Sequence, residues 1–265
     1  MCLIAIAWKV HPRYRLALIA NRDESHARPT APAGVDPDAA DVYGGRDLQA
    51  GGSWLQVSTR GRFAAVTNVR AGLVPELAPR SRGALVSEFV RGDLDAPEYA
   101  SRLRDSARDY GRFNLLVAAG DTLAFASNHP DFAARSVAPG VHAMSNGAFD
   151  APWPKSGHAT RALSDWLASL AVDADIARDA DARAPLFAAL ADTTPAPDAA
   201  LPDTGVGLAL ERVLSPAFVR GEIYGTRCSS IVLVGDDEIV FAERRYGPSA
   251  AFLGETAVTL PIRDA

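Results

Sequence analysis

The sequence predicts an α+β fold in which antiparallel sheets are covered by helices, and three observations carry that expectation. Paired apolar runs around turn residues crowd the first seventy residues, helical stretches lie further on, and a strand pair with a terminal strand closes the chain. Strands at both ends with helices between them do not read as alternating βαβ units. No internal repeat is visible. No glycine-rich phosphate motif runs from a strand into a helix, so a nucleotide-binding fold has no support.

Residues 3–8 and 15–20 are apolar runs separated by residues 9–14, where Pro12 forbids strand continuation and fits a turn, so they predict a hairpin. With the turn centred between His11 and Pro12, Cys2 lies opposite Asn21, and Asn21 and Asp23 share its face. One residue of slip would bring Arg22 there instead. Gly44-Gly45 and Gly51-Gly52 punctuate a loop. Residues 54–58 and 63–67 form a second hairpin, ended by Asn68. Residues 81–91 and 96–110 have helical character, with Asp95 as N-cap of the second helix and Gly111 as its stop.

Residues 113–119 and 122–126 form a further hairpin around Gly120-Asp121. Residues 141–145 read as a short strand ending at Asn146-Gly147, and residues 155–171 as a helix, from the spacing of Leu163, Trp166, Leu167 and Leu170. The segment 173–207 is rich in Ala, Asp and Pro, with one short helix expected near 185–190. Strands at 229–234 and 238–243 around Gly235-Asp236-Asp237, then one at 256–261, complete the chain.

Length and composition predict one soluble domain over 1–265: 28.0 kDa, 48% hydrophobic and 22% charged residues suffice for a sizeable core. A net charge of −5 and a sequence pI of about 5.5 argue against nucleic acid as a partner, which demands a basic face. No basic region precedes the first apolar run and no run reaches membrane-spanning length, so a cytoplasmic location without stable membrane insertion is expected. Cys2 and Cys228 are too few for a disulfide framework, and no cysteine or histidine has zinc spacing, so no metal is expected.

Cys2 is the residue on which chemistry can be built. Removal of Met1 would make it amino-terminal, and its α-amine, with an ordinary pKa of about 8, could take the thiol proton as a histidine would. The thiolate is the attacking species. The plain alternative is a cysteine buried in an apolar strand.

Met1-Cys2-Leu3-Ile4, Ala20-Asn21-Arg22-Asp23-Glu24 followed by Arg28-Pro29, Gly51-Gly52-Ser53-Trp54-Leu55, Thr67-Asn68, Phe113-Asn114-Leu115, Ser145-Asn146 with Pro152-Trp153-Pro154-Lys155, and Tyr224-Gly225-Thr226-Arg227 occur in this order. Together they resemble the NRDE family, also called the transport-and-Golgi-organisation protein 2 family. The resemblance implies an Ntn-hydrolase-like fold, a four-layer αββα sandwich of two antiparallel sheets between helix layers, with Cys2 in the place of the amino-terminal nucleophile. More distantly the arrangement is similar to the cysteine amidases that cleave conjugated bile salts and penicillin V, where an arginine and an aspartate surround the cysteine. Arg22 and Asp23 match those residues, at a closer spacing.

The implied reaction is cofactor-free hydrolysis of a C–N amide bond in a small molecule. Cys2 would attack the carbonyl, Asp23 would orient the α-ammonium, and Asn68 and Asn146 would donate to the oxyanion. Both asparagines also suit turns, Asn146 before Gly147 especially. Arg227 could hold a substrate carboxylate or snorkel at a strand end. Asn21, Trp54 and His26 are candidates for substrate contact, although Trp54 also suits a core. A second reading follows from the same resemblance, whose members are associated with haem trafficking: a non-catalytic carrier binding haem in the same cleft. The histidines show no diagnostic haem spacing.

Overall fold

The hydrophobic runs resolve into strands and helices in a computed structural model that describes residues 2–73, 76–170 and 175–263. The first half holds β1 (Cys2–Trp8), β2 (Leu16–Ser25), β3 (Thr30–Asp36), β4 (Ala39–Asp47), β5 (Leu55–Ser58), β6 (Arg62–Asn68), α1 (Arg82–Arg91), α2 (Ala96–Arg102), β7 (Phe113–Ala119) and β8 (Thr122–Ser127). The second holds β9 (Ala133–Ser136), β10 (Gly140–Met144), α3 (Pro154–Ser169), α4 (Ala180–Leu190), α5 (Leu208–Val213), β11 (Tyr224–Val234), β12 (Glu238–Tyr246) and β13 (Phe252–Pro261). The strands form two antiparallel sheets, as the α+β expectation requires, one ordered β10-β1-β2-β11-β12-β13 and the other running β3 to β9 in chain order.

The chain divides into two compact units, each with its own sheet. The first comprises the described residues of 1–27, 70–73 and 139–261. Its sheet packs Leu3, Ala5, Ala7, Ile19, Ile231 and Leu233 against Leu163, Trp166 and Leu167 of α3 and Leu186, Phe187 and Leu190 of α4. The second comprises the described residues of 28–69, 74–138 and 262–265. There Leu85, Phe89 and Val90 of α1 and Tyr99 of α2 cover Val66, Phe113, Leu115 and Val117. A fully buried side chain such as Phe89 contributes about 1.5–3 kcal/mol.

The predicted cap Asp95 forms, and Ser81, read as the first residue of a helix, is that helix's N-cap instead. Ser81 caps α1 through Gly83 N–H, and Asp95 caps α2 through Glu98 N–H at 2.7 Å. The helix expected over 96–110 is shorter. It ends at Arg102 and continues as single 3₁₀ turns at 103–105 and 107–109, broken at Ser106 (φ −115°, ψ 3°). The loop expected around Gly44-Gly45 is instead the strand β4, and a Cβ at Gly44 would stand 2.5 Å from Leu55 O on β5. Close strand approach, not a turn, selects that glycine. β3, β9 and α5 add to the expected elements, and α4 begins five residues before Pro185 with Asp179 as its cap. The predicted end of α3 at Ala171 lies outside the described residues.

The first hairpin corrects the expected register. Cys2 pairs with Arg22, and Asn21 pairs with Leu3, one residue from the expected alignment. Every residue of β1 is buried and apolar, so the pattern has no polar face to pin the pairing. The turn decides instead: Lys9 takes φ 52° and donates its N–H to Arg15 O at 2.8 Å, keeping Arg15 out of β2.

Candidate active site

Charged and polar residues gather where β1, β2 and β11 lie side by side. Arg22 on the central strand faces Cys2 on one neighbour and Cys228 on the other. Directly opposed residues share a face, so Arg22 stands between two thiols. Asn21 and Asp23 consequently take the other face of β2, the side covered by α3 and α4.

Cys2 is held by three of its atoms. Its N–H donates to Asn146 Oδ1 at 3.4 Å, its carbonyl accepts from Ser145 Oγ at 2.8 Å, and its sulfur accepts the Asp23 N–H. Burial pushes the thiol pKa up, against the opposing effects of the Arg22 guanidinium and that N–H. A thiol so placed needs a base to become a nucleophile.

Asp23 is also buried, and burial raises its pKa, against Lys155, the Thr226 hydroxyl and Arg22. Thr226 Oγ1 donates to Asp23 Oδ1 at 2.6 Å and accepts the Val219 N–H at 2.9 Å. Tyr224 Oη donates to the Asp23 carbonyl at 3.0 Å. Tyr224 and Thr226 therefore hold both the backbone and the carboxylate of Asp23.

The remaining candidates fall into three groups. Asn146 is fully buried at Cys2, engaging it through Oδ1, the acceptor of the amide. Asn21 is buried away from the thiol's face, where its Nδ2 donates to Leu190 O and Ala217 O at 2.8 Å each and its Oδ1 accepts from Ser229 Oγ at 2.6 Å. It ties β2 to the segments after α4. Arg227 sits at a β-bulge between Thr226 and Cys228, outside the pairing with β2, and donates to Ser25 O at 2.8 Å and more weakly to His26 O. His26 follows β2, with its N–H on Ile223 O at 2.8 Å. Burial and Arg227 lower its pKa. Trp54 and Asn68 belong to the second unit, where the Trp54 carbonyl accepts from Val66 N–H and Asn68 ends β6 opposite Phe113.

Lys155, quoted in the sequence only as part of a motif, has a place here that residue-by-residue reading missed. It opens α3 behind Pro154, is 4% exposed, and donates Nζ to Leu214 O at 3.1 Å. Burial lowers its pKa to about 8, with Asp23 and Cys2 acting in the opposite direction. One signal was available: of 27 cationic side chains only Lys9 and Lys155 are lysines. Where arginine is otherwise the rule, a lysine marks a cation whose proton can leave. Beside it, Arg70 and Glu211 form a buried pair at 2.6 Å, and Arg70 N–H donates to Asn146 O at 2.8 Å.

Among the described residues, no group of three or more His, Cys, Asp or Glu is arranged to hold a metal, and no helix is long and apolar enough to cross a membrane.

Comparison with known proteins adds relatives to this geometry. The profile of the family described as Transport and Golgi organisation 2 matches residues 1–248. The Transport and Golgi organization protein 2 homologs of Bos taurus and Homo sapiens are each 32% identical over 266 residues, covering 92% of this chain and 92% of theirs. Among solved structures, the C2A mutant of a conjugated bile acid hydrolase from Clostridium perfringens aligns with TM-score 0.45 and 9% identity, over 97% of this chain and 92% of that one. An N-acylethanolamine-hydrolyzing acid amidase ortholog from Caenorhabditis elegans aligns with TM-score 0.49 and 10% identity, over 89% and 94%.

Proposed function

The chain belongs to the Transport and Golgi organisation 2 family, and from that premise we propose that it is a cysteine amidohydrolase whose nucleophile is Cys2, acting on a C–N amide bond of a small molecule. One observation carries the reading. Cys2 has its nitrogen on Asn146 Oδ1 and its sulfur on the Asp23 N–H, so the atoms of an amino-terminal nucleophile are already oriented on one residue. Loss of Met1 would turn that nitrogen into an amine in place.

In the reaction the α-amine takes the thiol proton, the sulfur–carbon bond forms, and the resulting oxyanion collapses as the C–N bond breaks. The proton passes from the α-ammonium to the leaving amine. Water then cleaves the thioester, releasing the acid and restoring the thiol. Arg22 beside the sulfur favours the thiolate, and Asp23 favours the ammonium form of the amine. Asn146 orients the amine, and its Nδ2 is the assigned oxyanion donor in this reading.

The test pairs intact mass with turnover. The protein lacking Met1 is expected to hydrolyse members of a panel of acyl-amino compounds, and Cys2→Ala to lose that turnover by about three orders of magnitude or more. Retained Met1 would sink the α-amine mechanism. Turnover unchanged in Cys2→Ala would sink Cys2 as nucleophile, and saturable haem binding without turnover would favour a carrier in the cytoplasm.

A further inference from the structure

A strand at the edge of a sheet leaves a row of backbone groups open to another strand, and three of the four edges here are guarded against that. The first sheet ends in β10 and β13, the second in β3 and β9. β10 is five residues long and is covered by Asp150: Ala143 O accepts the Asp150 N–H at 2.9 Å, and the Ala143 N–H donates to Asp150 Oδ1 at 2.8 Å. β3 contains Pro32 and two register shifts. β9 has only four residues, one of them Arg135.

β13 is different. It has ten residues and, among the described residues, pairs with β12 alone. Its one register shift falls at Leu253 and its one proline is Pro261, so 254–260 is a regular, open edge. It carries no lysine or arginine. Its one charged residue is turned toward its own unit, where Glu255 accepts from Arg183 Nη2 at 2.9 Å and from Arg244 Nε at 2.7 Å. At its start Phe252 and Leu253 are each 62% exposed.

The charge along this edge has a direction. Near its start, Arg183 and Arg244 hold Glu255, and Arg245 stands 3.8 Å from the buried Glu243; with the exposed Arg220 and Glu222, this leaves one positive charge in excess. Arg220 reaches the turn before β13, donating Nε to Ser249 O at 3.2 Å. Near its end, Glu238 pairs with Pro261 and is offset by Arg13 at 3.5 Å. The exposed Asp236 and Asp237, which share a cleft with Thr259 and Pro261, are left in excess. A parallel copy would set like ends together, whereas an antiparallel copy brings the basic start of one edge to the acidic end of the other.

We propose that β13 pairs with β13 of a second copy of this chain, antiparallel about a two-fold axis at Ala257, joining the six-stranded sheets of the two copies into one. The regular stretch 254–260 is centred on Ala257. The axis therefore sets Thr256 of each copy opposite Val258 of the other and Gly254 opposite Leu260, and it keeps the two Glu255 side chains from facing each other. The paired stretch is about 23 Å long, a small interface that fits a dimer in exchange with monomer, with a Kd of about 10–100 μM. The surface is independent of the chemistry at Cys2, because β11 and β12 separate β13 from β2.

Sedimentation velocity of the intact chain is the test. The mass should rise from 28.0 kDa toward twice that value as the concentration is raised from about 1 to 500 μM. Val258→Lys, which puts a charge on the edge, should weaken the dimer about ten-fold or more. Arg220→Glu and Asp237→Lys should each weaken it several-fold, and the double variant should recover it. Ala257→Cys should form a disulfide between copies on mild oxidation, since opposed Cα atoms lie about 4.5–5.5 Å apart, and Leu260→Cys should not. A mass that stays at 28.0 kDa to the highest concentration overturns the proposal, as does a dimer that neither Val258→Lys nor the charge reversals weaken. Cross-linking through Leu260→Cys in preference to Ala257→Cys overturns the two-fold at Ala257. The wild-type titration and the charge reversals decide the matter even where a β13 variant fails to fold.

Discussion

Each unit buries an aspartate, and the two are treated in opposite ways. In the second unit, burial would raise the pKa of Asp36, but hydrogen bonds from Arg91, the Asp38 N–H and Gln56 outweigh it and hold the carboxyl below its usual range. Arg91 Nη2 lies 2.7 Å away, Gln56 Nε2 3.1 Å, and Gln56 Oε1 accepts in turn from Ser87 Oγ at 3.0 Å. In the first unit, burial wins, and Asp23 is raised despite Thr226 and Lys155. A buried polar network that is well satisfied braces strands to a helix. One left energetically uncomfortable next to a thiol and a lysine near neutral pKa is the kind of arrangement that chemistry or binding uses.

The largest test of the contrast is Asp36→Ala. Removing the carboxylate takes the acceptor from Gln56 and leaves Arg91 only its longer Asp38 contact at 3.6 Å, and a loss of about 3 kcal/mol in urea unfolding is expected. The loss should depend on pH. A depressed folded pKa stabilises above the unfolded value of about 4, and that stabilisation disappears as pH falls through the folded value, so variant and wild type should converge in acid. Equal losses at pH 7 and in acid would show that Asp36 braces the unit by packing alone.

Lys155→Met should act with the opposite sign. The folded lysine binds its proton less tightly than the unfolded one, so its charge is a penalty of about 3 kcal/mol below the folded pKa of about 8. Between that value and the unfolded pKa near 10.4 the unfolded chain holds the extra proton, and wild-type stability should gain as pH rises. The Met variant is thus expected to be more stable at pH 7 and to lose its advantage by about pH 10.5. A destabilised Met variant with no pH dependence would place Lys155 among structural residues like Asp36.

The smallest effect probes how tightly the second unit is built. Gly51 and Gly52 both have φ +72°, but a Cβ on Gly51 meets nothing within 4 Å, while one on Gly52 would lie 2.5 Å from the carbonyl of Gly83 at the start of α1. Gly51→Ala should cost about 1–2 kcal/mol for the left-handed backbone, and Gly52→Ala about 1–2 kcal/mol more. Equal costs would mean that the start of α1 yields to accommodate the methyl group.

Much of this was legible locally. The hairpins around residues 59–62 and 120–121, the cap Asp95, and the spacing of Leu163, Trp166 and Leu167 state their elements through neighbours a few residues away. Cys2 beside the Asn-Arg-Asp-Glu run was legible as a site because charge at the end of an apolar strand is locally conspicuous. Lys155 was not, since nothing within its own helix turn shows that the sheet and the 192–217 segment will bury it.

The sequence by itself determined the α+β class, the boundaries of most hairpins, the family, and Cys2 as the residue to ask about. Only the tertiary structure decided which neighbour of Cys2 shares its face, where Arg227 leaves the ladder, and which of two lysines is buried. The reason is range. Periodicity and capping depend on side chains one turn or one pleat apart, whereas register in a strand buried on both faces, and the desolvation of a charge, depend on segments more than a hundred residues away.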